Sequence, residues 1–201
     1  MTTEETKIKK RKLAWGITGA GDKIAEFIET MKQIKKEYAD TINIHVFLSK
    51  AAETVLKFYN LETALRENFE KVQVEVNANA PFLAAWMQMG KYEFLLIAPA
   101  TSNSVAKIAN GIGDTMITNA AIMSLKAFMP VYVVPTDYKE GVCVTKLPNG
   151  KEMKLRVRKE EVEQVKKLQS MEFVHILEGP QKIPDLFREW FKTPQACINY
   201  K

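Results

Sequence analysis

Three observations predict an α/β fold. Apolar runs of strand length alternate with amphipathic stretches of helix length along most of the 201 residues. One run, "FLLIAPA" (94–100), has no polar alternation, as a central strand covered on both faces requires. A glycine-rich turn, "GITGAGD" (16–22), falls where the first strand passes into the first helix. Repeated strand–helix–strand units build a parallel sheet with helices on both faces, with ligands expected at the carboxyl ends of the strands. The predicted architecture is a Rossmann-like three-layer sandwich with a mainly parallel central sheet and a C-terminal hairpin–helix extension.

"KLAWGIT" (12–18) is the first strand, and "DKIAEFIETMKQIKKEY" (22–38) the first helix, with Ile24, Phe27, Ile28, Met31 and Ile34 on one face. "TINIHVFLS" (41–49) is a second strand, followed by a helix over about 51–59. "VQVEV" (72–76) is a short third strand. "PFLAAWMQM" (81–89) reads as a helix opened by Pro81 at a first-turn position, where a missing N–H loses no bond. After "FLLIAPA", helices are expected over 104–109 and 115–128, and "VYVVP" (131–135) makes a fifth strand. The C-terminal third then changes character. "GVCVTKLPNGKEMKLRV" (141–157) reads as a hairpin around Asn149 and Gly150. A charged helix, "KEEVEQVKKLQ" (159–169), a short strand, "FVHIL" (173–177), and an amphipathic helix ending in "FREWF" follow. No repeat or linker divides the chain, so residues 12–201 are expected to form one domain behind a basic, disordered tail over 1–11.

Composition narrows the function classes. Residues 1–12 carry five basic side chains against Glu4 and Glu5, so this segment supplies +3 of the formal net charge of +5. The remainder is spread over mixed-charge helices, which argues against a nucleic-acid surface. No apolar stretch is long enough to span a bilayer, and no signal-peptide pattern opens the chain, so a cytoplasmic protein is expected. Cys143 and Cys197 fit no metal spacing and are expected to be reduced thiols.

The first loop suits a mononucleotide better than a dinucleotide. Its glycines, Gly16, Gly19 and Gly21, run Gly-x-x-Gly-x-Gly, not Gly-x-Gly-x-x-Gly. The second strand ends in Ser49, a hydroxyl that suits a phosphate oxygen, where a dinucleotide site wants an acid for the ribose. Backbone N–H groups around the turn, opening onto a helix N-terminus, favour one phosphate. A second stretch, "APATSNSVAKIANGIGDT" (98–115), packs Thr101, Ser102, Asn103 and Ser104 into one turn and Asn110, Asp114 and Thr115 into the next. A helix cap needs one such residue. The surplus could grip a phosphate, a sugar chain and a heteroaromatic edge.

"GITGAGD", "LSKAAE" (48–53) and "APATSNSVAKIANGIGDT", in this order, resemble the FMN-binding flavoprotein family over about residues 12–135. That family includes cysteine decarboxylases and flavin prenyltransferases. The resemblance implies FMN as cofactor, with Gly16, Thr18, Gly19 and Ala20 in its first loop and Ser49 at the phosphate. It implies Thr101, Ser102, Asn103 and Ser104 around the flavin, and Asp114 at the following acidic position. It also implies a homo-oligomer whose flavin site is completed by a neighbouring subunit, with "PFLAAWMQM" and "TMITNAAIMSLKAFM" (115–129) as contact helices and Trp86 and Met87 as contact residues.

Two departures bear on activity. The decarboxylases carry a histidine after the third strand, where this chain has Asn77 and Asn79, and a Met-Asn substrate motif after the fifth, where it reads "VVPTDYKEG" (133–141). His45 and His175 both lie inside strands and read as structural. The start "LAWGITGAGD" and the tail from "LPNGKEMKLRV" onward are similar to archaeal members of the family, including dihydromethanopterin reductase and a flavoprotein relaying electrons from ferredoxin to an iron–sulfur flavoprotein. This resemblance implies an FMN-dependent oxidoreductase acting on a pterin or passing electrons to a redox protein. The alternative is a decarboxylase- or prenyltransferase-like enzyme with a diverged site.

Overall fold

The computed structural model describes residues 10–192. The elements run β1 (Arg11–Ile17), α1 (Ile24–Glu37), β2 (Ile42–Leu48), α2 (Lys50–Phe58), α3 (Glu62–Asn68), β3 (Lys71–Val74), α4 (Leu83–Gln88) and β4 (Leu95–Ala100). They continue through α5 (Ser102–Ala109), α6 (Met116–Lys126), β5 (Val131–Pro135), β6 (Gly141–Lys146), β7 (Glu152–Val157), α7 (Lys159–Gln169), β8 (Val174–Ile176) and α8 (Ile183–Lys192). Six strands form one sheet in the order β3-β2-β1-β4-β5-β8. Every pairing in it is parallel. The order reverses between β1 and β4, and this switch point opens the crevice where such sheets bind ligands.

Strand alternation divides the core into two layers. Leu13, Trp15 and Ile17 of β1 pack with the apolar faces of α1, α2 and α8. Ala14 faces the other way, among residues of α4, α5, α6 and α7. All five expected apolar residues of α1 are buried, and β4 is buried along its whole length. Trp15 is fully buried, and its Nε1 donates to the Ala98 carbonyl at 2.7 Å. It is core, and borders no cleft.

Several boundaries differ from the sequence expectation, each for a local reason. α3 escapes periodicity because Leu65 is its only buried residue. α4 starts at Leu83, so Pro81 precedes the helix and does not occupy its first turn. α5 starts at Ser102 because Thr101 caps it, its hydroxyl accepting from the Ser104 N–H. Most of the C-terminal third returns to the main body: β8 is the sixth strand, α7 packs on α5 and α8 on α1. Only β6 and β7 stand apart, as a two-stranded antiparallel sheet. Most of the expected tail, and Cys197, lie outside the described residues. Arg11 already belongs to β1, with its guanidinium 3.6 Å above the Trp190 ring and 3.4 Å from Glu93.

Candidate functional site

Thr18, just past β1, is 3% exposed. Its Oγ1 donates to the Pro99 carbonyl at 2.9 Å and accepts from the Thr101 N–H at 2.8 Å. Its own N–H also goes to Pro99, at 3.2 Å. Thr18 therefore stitches together the two strand ends that flank the switch point, and its donors are spent there. Gly16 lies within β1, where a Cβ would sit 3.4 Å from Ile117 of α6. The other two glycines answer to α2: a Cβ on Gly19 would come within 2.6 Å of Ala51, and one on Gly21 within 2.7 Å of the Tyr59 ring. The unusual glycine spacing thus follows two close approaches by the two ends of one helix.

Next to this loop lies a corner where two helix N-termini meet. Ser49 caps α2, with Oγ accepting from the Ala52 N–H at 3.0 Å, and among the described residues its own O–H is donated to no partner. The N–H groups of Lys50 and Met116, the first residues of α2 and α6, donate to the two carboxylate oxygens of Glu75 at 3.4 and 3.3 Å. Two helix N-termini converge on one negative group, as the positive ends of their dipoles favour.

On the opposite side Thr101, Ser102 and Asn103 open α5. Thr101 Oγ1 donates to Ser104 Oγ at 3.0 Å, which sets Ser104 behind the cap. Asn103 is exposed, and among the described residues its side chain makes no hydrogen bond, so its amide is free for a ligand. The Ser102 hydroxyl donates to Asp137, whose Oδ2 also accepts from Thr136 Oγ1 at 3.0 Å.

These walls enclose a cavity of about 340 Å³, lined by Ala20, Gly21, Asp22, Tyr59, Thr101, Ser102, Asn103, Thr136 and Asp137. Its roof is the hairpin: Cys143, Thr145, Met153 and Leu155 also line it. Cys143 pairs across the hairpin with Leu155 and Thr145 with Met153, so all four share one face. The Tyr59 hydroxyl donates to the Lys146 carbonyl at 3.2 Å and ties the hairpin to the end of α2.

Of the ten residues expected at the cofactor, Ala20, Thr101, Ser102 and Asn103 line this cavity, while Gly19 and Ser49 adjoin the corner beside it. Gly16, Thr18 and Ser104 lie behind them. Asp114 lies apart from these: it is exposed and its carboxylate is paired with Lys107 at 2.8 Å. Sequence reasoning missed Asp22, Tyr59, Asp137 and the roof. Two of these lie in segments that the sequence marks: Asp22 in the glycine turn and Asp137 in "VVPTDYKEG". Neither histidine lines the cavity. Burial, with Lys71 and Lys12 nearby, pushes His45 down to about 4; burial also lowers His175, which stacks on Tyr132. Among the described residues no group of three His, Cys, Asp or Glu could hold a metal ion.

A family model described as Flavoprotein matches residues 1–190. An uncharacterized protein of Methanocaldococcus jannaschii is 47% identical over 172 residues, covering 86% of this chain and 91% of the relative. Dihydromethanopterin reductase (acceptor) of the same organism is 30% identical, covering 88% of this chain and 95% of the relative. Among solved structures, Burkholderia xenovorans DmrB in complex with FMN, described as a cubic protein cage for redox transfer, superposes with a TM-score of 0.77 at 31% identity, covering 92% of this chain and 97% of that one.

Proposed function

The chain belongs to the flavoprotein family, and from that premise we propose that it is an FMN-dependent oxidoreductase of the dihydromethanopterin reductase kind. The observation that carries this reading is the pairing, at one switch point, of an anion corner with a roofed cavity. The Ser49 hydroxyl and the glycine turn beside it suit a monophosphate, while the Lys50 and Met116 N–H groups are already taken by Glu75. Gly19, Ala20 and Ser49 would hold the phosphate end of FMN, and Thr101, Ser102, Asn103 and Ser104 its sugar and ring. Gly16 and Thr18 shape the loop beneath. When bound, FMN supplies the redox chemistry, while the protein orients it and controls access.

A decarboxylase reading is weaker here. Asn77 and Asn79 stand where that chemistry places its histidine, and among the described residues no imidazole reaches the cavity. A small heteroaromatic acceptor suits a cavity under a hairpin better than the surface of a redox protein does. We take the acceptor to be a pterin, and the electron donor to be a separate carrier such as ferredoxin or a reduced nucleotide. With such donors the setting is cytoplasmic. We also infer a homo-oligomer: DmrB forms a cage, and here Val76, Phe82 and Met89 expose 64%, 64% and 59% of their surface around α4.

Mass spectrometry of heat-released ligand is expected to find FMN. The bound flavin, reduced without oxygen, is expected to be reoxidised by a 7,8-dihydropterin. Recovery of FAD, or a reduced flavin indifferent to dihydropterin, would overturn the proposal.

A further inference from the structure

The cavity lining carries a chemical bias that the flavin does not explain. It holds two carboxylates, Asp22 and Asp137, and no lysine or arginine. A phosphate placed there meets repulsion, so the phosphate end of FMN belongs beside Gly19 and Ser49, and the part of the cavity beyond the Thr101–Asn103 turn, where the flavin ring is placed, serves another group. Its remaining surface is largely apolar, from Tyr59, Met153 and Leu155. Such a space takes a flat, neutral ring that presents N–H donors to a carboxylate.

Asp137 is built to receive them. Its Oδ2 accepts from the hydroxyls of Ser102 and Thr136, which orients the carboxylate. Among the described residues Oδ1 accepts nothing, so both its lone pairs remain for a guest. The pyrimidine edge of FMN does not match this group. It presents an N–H between two carbonyl oxygens, and a carboxylate repels those oxygens. The 2-amino-4-oxopyrimidine edge of a pterin presents an amino group beside a ring N–H, two donors side by side. Both donors can converge on the one open oxygen, Oδ1, in charge-assisted bonds.

We propose that Asp137, held by Ser102 and Thr136, is the specificity residue that recognises the aminopyrimidinone edge of the pterin substrate. This rests on the oxidoreductase reading above for the identity of the substrate. It adds which end of the pterin enters the cavity and which residue selects it. It also accounts for "VVPTDYKEG": the segment after β5 has exchanged one substrate-reading group for another.

The test compares two probes on the FMN-reconstituted protein, 6-methylpterin and 6-methyllumazine, which differ only by amino or oxo at position 2. Binding is read by titration calorimetry, separately from turnover. The wild-type protein is expected to prefer the pterin by about 10-fold or more, since a site built for a donor rejects the analogue that lacks it. Asp137→Asn, which can both donate and accept, is expected to erase or invert that preference, with flavin content and melting temperature unchanged. Wild-type pterin affinity in Asp137→Asn, a wild-type protein that binds neither probe, or parallel loss of flavin and pterin would each overturn the proposal. Failure of the function reading looks different. Reduced flavin would then be indifferent to dihydropterin while the pterin–lumazine preference still responded to Asp137→Asn.

Discussion

His45 sits half-buried in β2, with Nδ1 2.9 Å from the Tyr92 hydroxyl, and burial there favours its neutral form. The unfolded chain binds a proton at this side chain below about 6.5, the folded chain only near 4. Its stabilising contribution is therefore complete above pH 6.5 and is lost as the pH falls through that window to about 4. Discounted for partial solvation, the loss is about 1–2 kcal/mol. Urea midpoints at pH 7.5 and 4.5 should fall further for the wild-type protein than for His45→Gln; equal falls would refute this. Ser49 offers a cleaner separation of stability from binding. Aspartate caps a helix as well as serine does, so Ser49→Asp should keep the α2 cap and remain folded. It should nonetheless abolish FMN binding by setting a carboxylate against the phosphate. Retained flavin affinity in that variant would remove Ser49 from the phosphate corner. Ser49 and the Thr101–Ser104 turn were legible in the sequence because each acts through its own helix terminus. Asp137 was not, because its orientation depends on Ser102, 35 residues away.

The hairpin carries the corresponding lesson among the elements. Asn149 and Gly150 mark its turn, and Gly150 takes the positive φ of 80° that the turn requires. Nothing in β6 or β7 states where the hairpin folds. That is decided by its apolar face, which covers the cavity, and by the bond from Tyr59. Tyr59→Phe keeps the ring against Gly21 and removes only that bond, with a net loss of about 0.5–1.5 kcal/mol. Amide hydrogen exchange over 141–157 should accelerate several-fold in this variant while β1 and β4 stay protected. Unchanged exchange in the hairpin would show that roof packing alone holds it. α3 and β8 were harder to place from sequence than α1 or β4. With one buried residue in α3 and three residues in β8, neither carries enough periodicity to declare its partner.

For the molecule as a whole, the expected contact residues must be divided. Met87 is fully buried beside Leu83 in the α4–α6 layer and cannot meet another subunit. Trp86 is half-buried, its ring near Phe47 and 4.8 Å from the Lys71 ammonium. The exposed apolar surface around α4 belongs instead to Val76, Phe82 and Met89. A Phe82→Ser, Met89→Ser double variant should remain folded and shift light scattering toward smaller species. Met87→Ala should lower the melting temperature, with about 2–5 kcal/mol lost to a core cavity. An assembly unaffected by the double variant would move the interface elsewhere. By itself the sequence determined the alternation of strands and helices apart from α3, the buried face of α1, the burial of β4, and the hydroxyls and glycines of the loops. Those properties follow from local periodicity and from caps and turns acting within a few residues. Tertiary structure alone decided the strand order β3-β2-β1-β4-β5-β8, the return of β8 to the sheet and the hairpin roof over the cavity. It alone also set Asp137 against Ser102. Parallel pairing and the Tyr59–Lys146 bond, 87 residues apart, join segments that share no local pattern, so only the packed chain brings them together.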